Sequence, residues 1–194
     1  MRFLGAGLLQ LENVKIRSYQ GAGGGLLFKP NGPAKLVMSN SAVSDNGTGG
    51  NILIQPVGGL APPPPTSALF DRVTVAGSVF GIKADGSQAS GRIDVDVRDS
   101  VAAHHSNNGF IAASDAGQAQ IRYKVTRSTA FDNGSFGAVA TGAQAFMIVS
   151  GSSLTDNGTG LAQLSGSTVA TYTNNDVNFN TTNVSGSITA IAQR

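Results

Sequence analysis

Asp156-Asn157-Gly158-Thr159-Gly160 is one of three copies of the same phrase in this chain of 194 residues. The other two are Asp45-Asn46-Gly47-Thr48-Gly49 and Asp132-Asn133-Gly134-Ser135-Phe136-Gly137. A short apolar strand is predicted after each copy, and more degenerate versions of the pattern occur elsewhere. Units of about 20–45 residues are typical of solenoids. The last glycines of six units are spaced by 23 to 32 residues, and they are Gly25, Gly49, Gly81, Gly109, Gly137 and Gly160.

A second strand with alternating apolar residues is predicted ahead of each turn. In the stretch 93–97, alternation places Val95 on one face and both Asp94 and Asp96 on the other. Each unit is therefore predicted to consist of a strand, a short turn, a second strand and a loop. The Asn-Gly and Gly positions are expected at corners with φ > 0. Stacked asparagines at equivalent corners are expected to form side-chain ladders.

The units are too short for propeller blades, which need about 40 residues or more. They fit a coil in which each unit forms one rung, so the chain is predicted to be one all-β domain, residues 1–194, with about 6–7 rungs. Residues 1–12 are predicted to form an N-terminal cap or association segment, and 61–66 a Pro-rich loop between rungs. Residues 173–194 are predicted to form a polar C-terminal cap, with Val177 and Phe179 as its core residues.

Composition and charge exclude several classes of function. The chain has 26 glycines, 12% charged residues, a formal net charge of +2 and no cysteine. Disulfides, thiolate metal sites and a cysteine nucleophile are therefore absent. The chain has no block of Lys and Arg, so nucleic acid is not expected as a partner. No stretch approaches the roughly 20 apolar residues of a membrane span, so no membrane partner is expected either. No signal peptide is recognised, which leaves the localisation open.

The first residues of the chain suggest self-association. An apolar segment precedes the first rung, and terminal rungs of a solenoid expose core and sheet edges unless they are capped. One interpretation is that this segment folds under the first rung as a cap strand. The other is a homo-oligomer formed through the N-terminal end. The apolar residues concerned are Phe3, Leu4, Leu8, Leu9 and Leu11.

Several phrases together resemble right-handed parallel β-helix repeat proteins of the pectate-lyase-like superfamily. They are the three Asp-Asn-Gly turns with Leu11-Glu12-Asn13-Val14-Lys15-Ile16, Phe70-Asp71-Arg72-Val73-Thr74-Val75 and Val97-Arg98-Asp99-Ser100-Val101. More narrowly, the chain resembles the C-terminal part of uncharacterised bacterial β-helix repeat proteins, which are exported. The resemblance implies a right-handed coil. It also implies that an outward sheet face is the place to look for a ligand, because such faces hold anionic sugar chains in that superfamily.

Charged residues on the outward positions of the alternating strands are the best candidates for a site. They are expected to lie in one row on one sheet face. The alternative is that opposite charges only pair across an exposed sheet. The row runs through Asn13, Lys15, Lys35, Arg72, Thr74, Asp94, Asp96, Arg98, Arg122 and Lys124, of which Arg72, Asp94, Asp96, Arg98, Arg122 and Lys124 are the predicted ligand-binding residues.

Two functions are compatible with this row. The first is a non-enzymatic structural or binding module that presents the face to an anionic polysaccharide. The alternative is a polysaccharide lyase, hydrolase or epimerase, with Asp94, Asp96 or Asp99 as acid groups. Ca²⁺ is expected only if the chain is a lyase, and no other cofactor is expected. A weak metal candidate combines His104, His105 and Asp99, against the simpler interpretation of a solvated loop.

Overall fold

The computed structural model describes residues 1–20, 24–59 and 65–192. These residues form strands and turns without any helix, and the strands coil into a parallel β-solenoid of about six turns, which confirms the predicted all-β fold. The strands in chain order are β1 Arg2–Phe3, β2 Gly7–Glu12, β3 Lys15–Arg17, β4 Leu26–Phe28, β5 Ala34–Ser44, β6 Ile52–Ile54, β7 Gly58–Gly59, β8 Thr66–Ala76, β9 Phe80–Asp85, β10 Ala89–Ser90, β11 Arg92–Arg98, β12 Val101–Ala103, β13 Asn108–Ala113, β14 Gln120–Thr126, β15 Thr129–Phe131, β16 Phe136–Thr141, β17 Ala145–Ser150, β18 Ser153–Thr155, β19 Thr159–Leu164, β20 Thr168–Thr171, β21 Thr182–Ser185 and β22 Ile188–Ala190.

The coil has three faces, and each turn contributes one strand segment to each. We call them the long face, the short face and the third face. The long face contains β2, β11, β14, β17, β20 and β22, and the short face contains β3, β12, β15 and β18. The third face is the eight-stranded sheet β1-β4-β6-β9-β13-β16-β19-β21. Strands β5 and β8 have 11 residues each and belong to both the long and the short face.

Each turn has three strand segments, whereas the sequence analysis predicted two strands per unit. The segment that was not predicted is the short face, because β5 and β8 continue from the long face around a corner as single strands, in which only the corner residues Asn40 and Arg72 fall outside the pairing. The alternation of buried residues shifts by one position at this corner. The actual repeat is long face, corner, short face, corner, third face and loop.

Alternating side chains fill the interior of the coil. In β11, for example, Ile93, Val95 and Val97 are buried while the residues between them are not. The same pattern in every turn produces one continuous apolar core. Tyr123 is fully enclosed in this core, and its hydroxyl donates a hydrogen bond to the carbonyl of Ile82 at 3.1 Å. Burial raises the pKa of that hydroxyl.

Both corners of each turn contain one residue with left-handed backbone. At the first corner these residues include Asn40, Arg72, Asp99 and Arg127, with φ between 46° and 54°. At the second corner they are Ser18, Asp45, Gly77, His104, Asp132, Asp156 and Phe179. In six successive turns the two corner residues are separated by five positions. A single residue at φ > 0 therefore turns the chain sharply from one face to the next.

This arrangement corrects in part the expected role of the Asn-Gly pairs. In all three phrases the aspartate has left-handed backbone, and of the three glycines that follow the asparagines only Gly47 has positive φ, at 37°. The repeated glycines serve close packing between turns. A Cβ atom on Gly109 would lie 2.6 Å from the carbonyl oxygen of Gly137, and one on Gly137 would lie 2.7 Å from that of Gly160. Only glycine lets adjacent turns approach this closely.

The predicted asparagine ladder is present just inside the second corner. The amide of Asn133 donates to Oδ1 of Asn157 at 2.8 Å, and the amide of Asn157 donates to Oδ1 of Asn180 at 3.0 Å. A serine ladder lies inside the first corner. There the hydroxyl of Ser128 accepts from the backbone of Ser100 at 3.1 Å, and that of Ser152 accepts from Ser128 at 3.1 Å. These ladders satisfy buried backbone groups at the points where the sheets are interrupted.

The two end segments form strands that continue the faces. In the segment 1–12, β1 pairs with β4 and β2 pairs with β5. In the segment 173–194, β21 and β22 extend the third and long faces. Val177 packs against the core as expected, but Phe179 is 82% exposed, which corrects its assignment to the core. Phe179 occupies the left-handed corner itself, so its side chain points outward.

The predicted Pro-rich loop at 61–66 is only partly described. Residues 61–64 lie outside the described residues, and Thr66 is the first residue of β8 rather than the end of a loop. None of the described ranges contains a helix long and apolar enough to cross a membrane.

Candidate functional site

A shallow depression of about 420 Å³ lies on the outside of the long face. Four adjacent turns form it, since β5, β8, β11 and β14 are neighbours in register. Its lining combines charged and apolar side chains. The lining residues are Lys35, Leu36, Val37, Ser67, Ala68, Leu69, Asp94, Val95, Asp96, Arg122 and Lys124.

Strand alternation and register bring the charged residues together. Asp94 pairs with Arg122 and Asp96 with Lys124 across β11 and β14. On the other side of β11, Asp96 pairs with Leu69, which in turn pairs with Val37 of β5. The outward positions therefore form two parallel rows along the coil axis. Four of the six predicted binding residues, Asp94, Asp96, Arg122 and Lys124, lie in this depression together with Lys35.

Asp94 is held by two arginines. Its carboxylate lies 3.1 Å from Nε of Arg92 and 2.6 Å from Nε of Arg122. The hydrogen bond to Asp94 raises the pKa of the Arg122 guanidinium. These contacts neutralise the aspartate charge and fix Arg122 against the sheet. Asp94 is therefore poorly placed to act as an acid, because both of its carboxylate oxygens already accept a hydrogen bond from an arginine.

The ammonium groups of Lys35 and Lys124 are accessible to a ligand. Both side chains are exposed, and neither is in a salt bridge with any carboxylate of the described residues. Asp96 likewise has no salt-bridge partner within those ranges. Between them lie Val37 and Leu69, which are half-buried. The depression thus presents two separated cations and one carboxylate around an apolar centre.

Arg98 and Arg72 lie at the edge of the long face and not in the depression. Nε of Arg98 is 3.5 Å from the carboxylate of Asp71, and Arg72 contacts the same carboxylate at 3.0 Å. Arg72 also donates from Nε to Oδ1 of Asn40 at 2.7 Å. These side chains form a polar ridge along the first corner, and each of the two arginines already has an ion-pair partner there.

The single row expected from the sequence is therefore wrong in part. Arg72 and Asn13 lie at the first corner, and Lys15 and Thr74 lie on the short face. The error arose because segments 14–16 and 73–75 alternate like the long-face strands. Their pairing shows that they belong to the next face, since Lys15 pairs with Ala42 in the second half of β5.

Asp99 is separated from Asp94 and Asp96 by its position on the first corner. Arg127 binds it with two hydrogen bonds of 2.8 and 2.7 Å. The Arg127 hydrogen bond is the main reason that the pKa of Asp99 lies below its ordinary value. A carboxylate that stays ionised in this way does not suit a general acid at neutral pH.

The histidine pair and Asp99 are not brought together as a metal site. His104 is the left-handed residue of the second corner, and its Nδ1 lies 2.8 Å from Asp132. His105 points inward and is only 2% exposed, while Asp99 occupies the other corner. Within the described ranges, no group of three His, Cys, Asp or Glu side chains is close enough to hold a metal ion.

Sequence reasoning missed the apolar centre of the depression, which Val37 and Leu69 form. It also missed Arg92, which does not line the depression but holds Asp94 from the start of β11. The outward position of Val37 follows from the alternation in 36–38, so a signal for it was present. Comparison with known proteins adds nothing to this geometry, since no family model, no curated protein and no solved structure matches the chain.

Proposed function

We propose that this protein is a non-enzymatic binding module whose long face holds an anionic polysaccharide. The observation that carries the proposal is the pair of exposed lysines, Lys35 and Lys124, on either side of an apolar centre. Neither lysine is in a salt bridge with a carboxylate of the described residues. Both are therefore available for the carboxylate or sulfate groups of a ligand.

The shape of the depression favours an extended chain. It is open and crosses four turns, which are spaced by about 4.8 Å as neighbouring strands are. That spacing is close to the length of one pyranose unit, so successive sugars can meet equivalent positions in successive turns. Val37 and Leu69 offer apolar contact to the faces of sugar rings, and Asp96 offers an acceptor for hydroxyl groups.

Two of the three candidate acid groups are held by arginines, which supports binding over catalysis. Asp94 is engaged by Arg92 and Arg122, and Asp99 is engaged by Arg127 at a different corner. The resemblance to the pectate-lyase-like superfamily supports the choice of an anionic sugar chain as ligand. If the chain shared the activity of that superfamily, Asp96 would be the carboxylate left to act at this face, and a lyase would also require Ca²⁺ there.

Titration calorimetry with polygalacturonate, alginate and heparin tests the proposal, with neutral dextran as a reference. We expect at least one polyanion to bind and dextran not to bind. The double variant Lys35→Gln/Lys124→Gln should weaken the interaction at least tenfold. The matched control Lys29→Gln/Lys83→Gln removes the same charge from the side of the third face and should have little effect.

Two outcomes would contradict binding at the long face. One is the absence of binding to all three polyanions, and the other is equal weakening by the two double variants, which would indicate attraction by net charge alone. Absorbance of unsaturated sugars and reducing ends is followed in the same mixtures, with and without Ca²⁺. Product formation would overturn the non-enzymatic assignment in favour of a lyase or hydrolase.

A further inference from the structure

Asparagine followed by glycine occurs five times in the chain, and this pair can react with itself. The backbone nitrogen of the glycine attacks the side-chain carbonyl of the asparagine, and the missing Cβ of glycine leaves that approach open. Asparagine counts among the thermolabile residues of proteins. The structure places the five pairs in very different surroundings. They begin at Asn31, Asn46, Asn108, Asn133 and Asn157.

Two of these pairs are held on both reacting groups by the asparagine ladder. Asn133 and Asn157 are at most 3% exposed, and each carboxamide both donates and accepts hydrogen bonds. The attacking nitrogens are engaged as well. The N–H of Gly134 donates to the carbonyl of His105 at 2.8 Å. The N–H of Gly158 donates to the carbonyl of Asn133 at 3.0 Å, so neither nitrogen is free to attack.

Two more pairs have a restrained carboxamide. Asn46 is completely buried, and its amide donates to Oδ1 of Asn51 at 3.0 Å while its oxygen accepts from the N–H of Tyr19 at 3.1 Å. Asn108 is half-buried within β13, and its oxygen accepts from the N–H of Phe136 at 3.3 Å. Either carboxamide would have to break a hydrogen bond before it could turn toward the backbone.

Asn31 has none of these restraints. It is exposed and lies in the irregular segment between β4 and β5. Within residues 1–20, 24–59 and 65–192, no hydrogen bond involves its carboxamide or the N–H of Gly32. The carbonyls of Pro30 and Pro33 on either side accept from backbone N–H groups of neighbouring turns, at 2.9 Å each. The segment is therefore anchored at its ends while the reacting pair between them is open to water.

We propose that Asn31 is a site of spontaneous modification, at which the chain converts its own carboxamide to a carboxylate with water as the only co-reactant. The backbone nitrogen of Gly32 forms a bond to Cγ of Asn31 and loses its proton. The bond from Cγ to Nδ2 breaks, and that nitrogen leaves as ammonia. Water then opens the cyclic imide at either carbonyl, which gives aspartate or isoaspartate without any change of oxidation state.

The fold accepts the modified residue at this place. Isoaspartate lengthens the main chain by an additional carbon atom, and Asn31 lies outside the pairing of β4 with β6 and of β5 with β8. The new carboxylate lowers the formal net charge from +2 to +1. The same change at Asn157 would bring a charge into the buried ladder, where it would lack water. The ladder thus protects the phrase that forms the second corner, and the reaction is left to a pair outside it.

Peptide mapping by mass spectrometry after incubation of the folded protein at pH 8.5 tests the proposal. Trypsin cleaves after Arg17 and Lys35 but not before Pro30, so Asn31 is the only asparagine of its peptide. The other four pairs fall on different peptides. We expect Asn31 to react at least tenfold faster than any of them. Isoaspartate should be among its products, since opening of the imide produces it and direct hydrolysis of the amide does not.

Unfolding in guanidinium chloride provides the matched control. Without the ladder, the rates of Asn133 and Asn157 should rise at least tenfold, whereas the rate of Asn31 should change little. Gly32→Ala should slow the reaction at Asn31 at least tenfold, because its Cβ hinders the attack. Gly32 does not have positive φ, and that Cβ would meet only the side chain of Ala6 at 3.2 Å. Circular dichroism verifies that the variant is folded.

Three results would overturn the proposal. The first is a rate at Asn31 in the folded protein no higher than at the ladder asparagines. The second is aspartate without isoaspartate at Asn31, which would exclude attack by the backbone of Gly32. The third is an equal acceleration of all five pairs on unfolding, which would show that the fold restrains Asn31 as much as the others.

Discussion

Replacing His105 by asparagine is expected to stabilise the protein, although His105 is buried in its core. His105 is 2% exposed and follows the corner residue His104, as Asn133 follows Asp132 and Asn157 follows Asp156. It therefore stands in the asparagine ladder, and its backbone N–H donates to Oδ1 of Asn133 at 3.3 Å. Neither ring nitrogen reaches hydrogen-bond geometry with a partner in the described residues.

The gain at neutral pH follows from two opposing effects. An asparagine at this position can donate to Oδ1 of Asn133 and to the carbonyl of Val75, as Asn133 itself donates to Asn157 and Ala102. Two hydrogen bonds at about 1 kcal/mol each contribute about 2 kcal/mol. The smaller side chain leaves about 40 Å³ unfilled, which costs about 1 kcal/mol at about 24 cal/mol per Å³. We expect His105→Asn to raise the free energy of unfolding by about 1 kcal/mol.

The stability that His105→Asn gains over the wild type increases as the pH falls. Burial lowers the pKa of His105 from 6.5 to about 4, and contacts with the backbone of Ser78 and Val75 offset only part of that effect. Between these pH values the unfolded chain binds a proton that the folded chain does not, so the stability of the wild type falls as pH drops from 6.5 toward 4. At pH 4.5 the loss from this group amounts to about 2–3 kcal/mol, and His105→Asn avoids it.

Urea unfolding at pH 7.5, 5.5 and 4.5 measures both quantities. Carboxylates titrate in the wild type and in His105→Asn alike, so the difference between their pH profiles isolates the buried imidazole. His104→Asn removes the exposed imidazole next to it and leaves His105 in place, so the loss of stability that His105 causes between pH 6.5 and 4 should remain in that variant. Parallel profiles for wild type and His105→Asn would refute the reasoning, as would a variant less stable than wild type at pH 7.5.

Two further predictions concern the packing of turns and the corner charges. Gly109→Ala places a Cβ 2.6 Å from the carbonyl of Gly137, and we expect thermal or urea unfolding to show a loss of about 2 kcal/mol. Gly5→Ala, whose Cβ meets no atom within 4 Å, should unfold like the wild type, and equal losses in both would contradict the packing argument. Arg127→Gln should raise the pKa of Asp99 toward its ordinary value, because it removes the hydrogen bonds that lower it. Carbon NMR of the Asp99 carboxyl measures this shift, and an unchanged pKa would show that Arg127 does not control it.

The architecture was predictable from the sequence because its signals repeat. Every turn presents the same alternation, and the Asp-Asn-Gly phrase marks the second corner in three of them. A repeated weak signal becomes decisive, since each unit must fit against an almost identical neighbour. The asparagine ladder was predictable for the same reason, as Asn133 and Asn157 hold equivalent positions.

The assignment of strands to faces could not be predicted from the same signals. The corners recur at intervals of 22 to 32 residues, so counting along the chain does not identify which segments pair. Alternation gives the side of a strand to which Lys15 or Arg72 points, but not the face to which that strand belongs. Left-handed corners are also hard to recognise when Arg72 or Arg127 occupies them, because glycine, asparagine and aspartate are the usual signals.

The candidate site was found in part, and the missing part is explained by side-chain partners. Asp94, Asp96, Arg122 and Lys124 share the depression as their alternation suggested. Arg98 pairs with Asp71 and Asp99 pairs with Arg127 because the register between neighbouring turns brings these side chains together. The sequence does not reveal that register. Phe179 was placed in the core on its hydrophobicity, whereas its left-handed backbone turns it outward.

The constant separation of the two corners divides the molecule into parts with different freedom to change. Five positions separate the corner residues in six successive turns, while whole turns differ in length by up to ten residues. All of that variation therefore falls outside the short face, in the third face and the loops that lead back to the long face. Insertions and deletions can accumulate on that side of the molecule without shifting the serine and asparagine ladders. The length of the rod, in contrast, can change only by whole turns, so evolution can lengthen it in discrete steps while it reshapes its loops residue by residue.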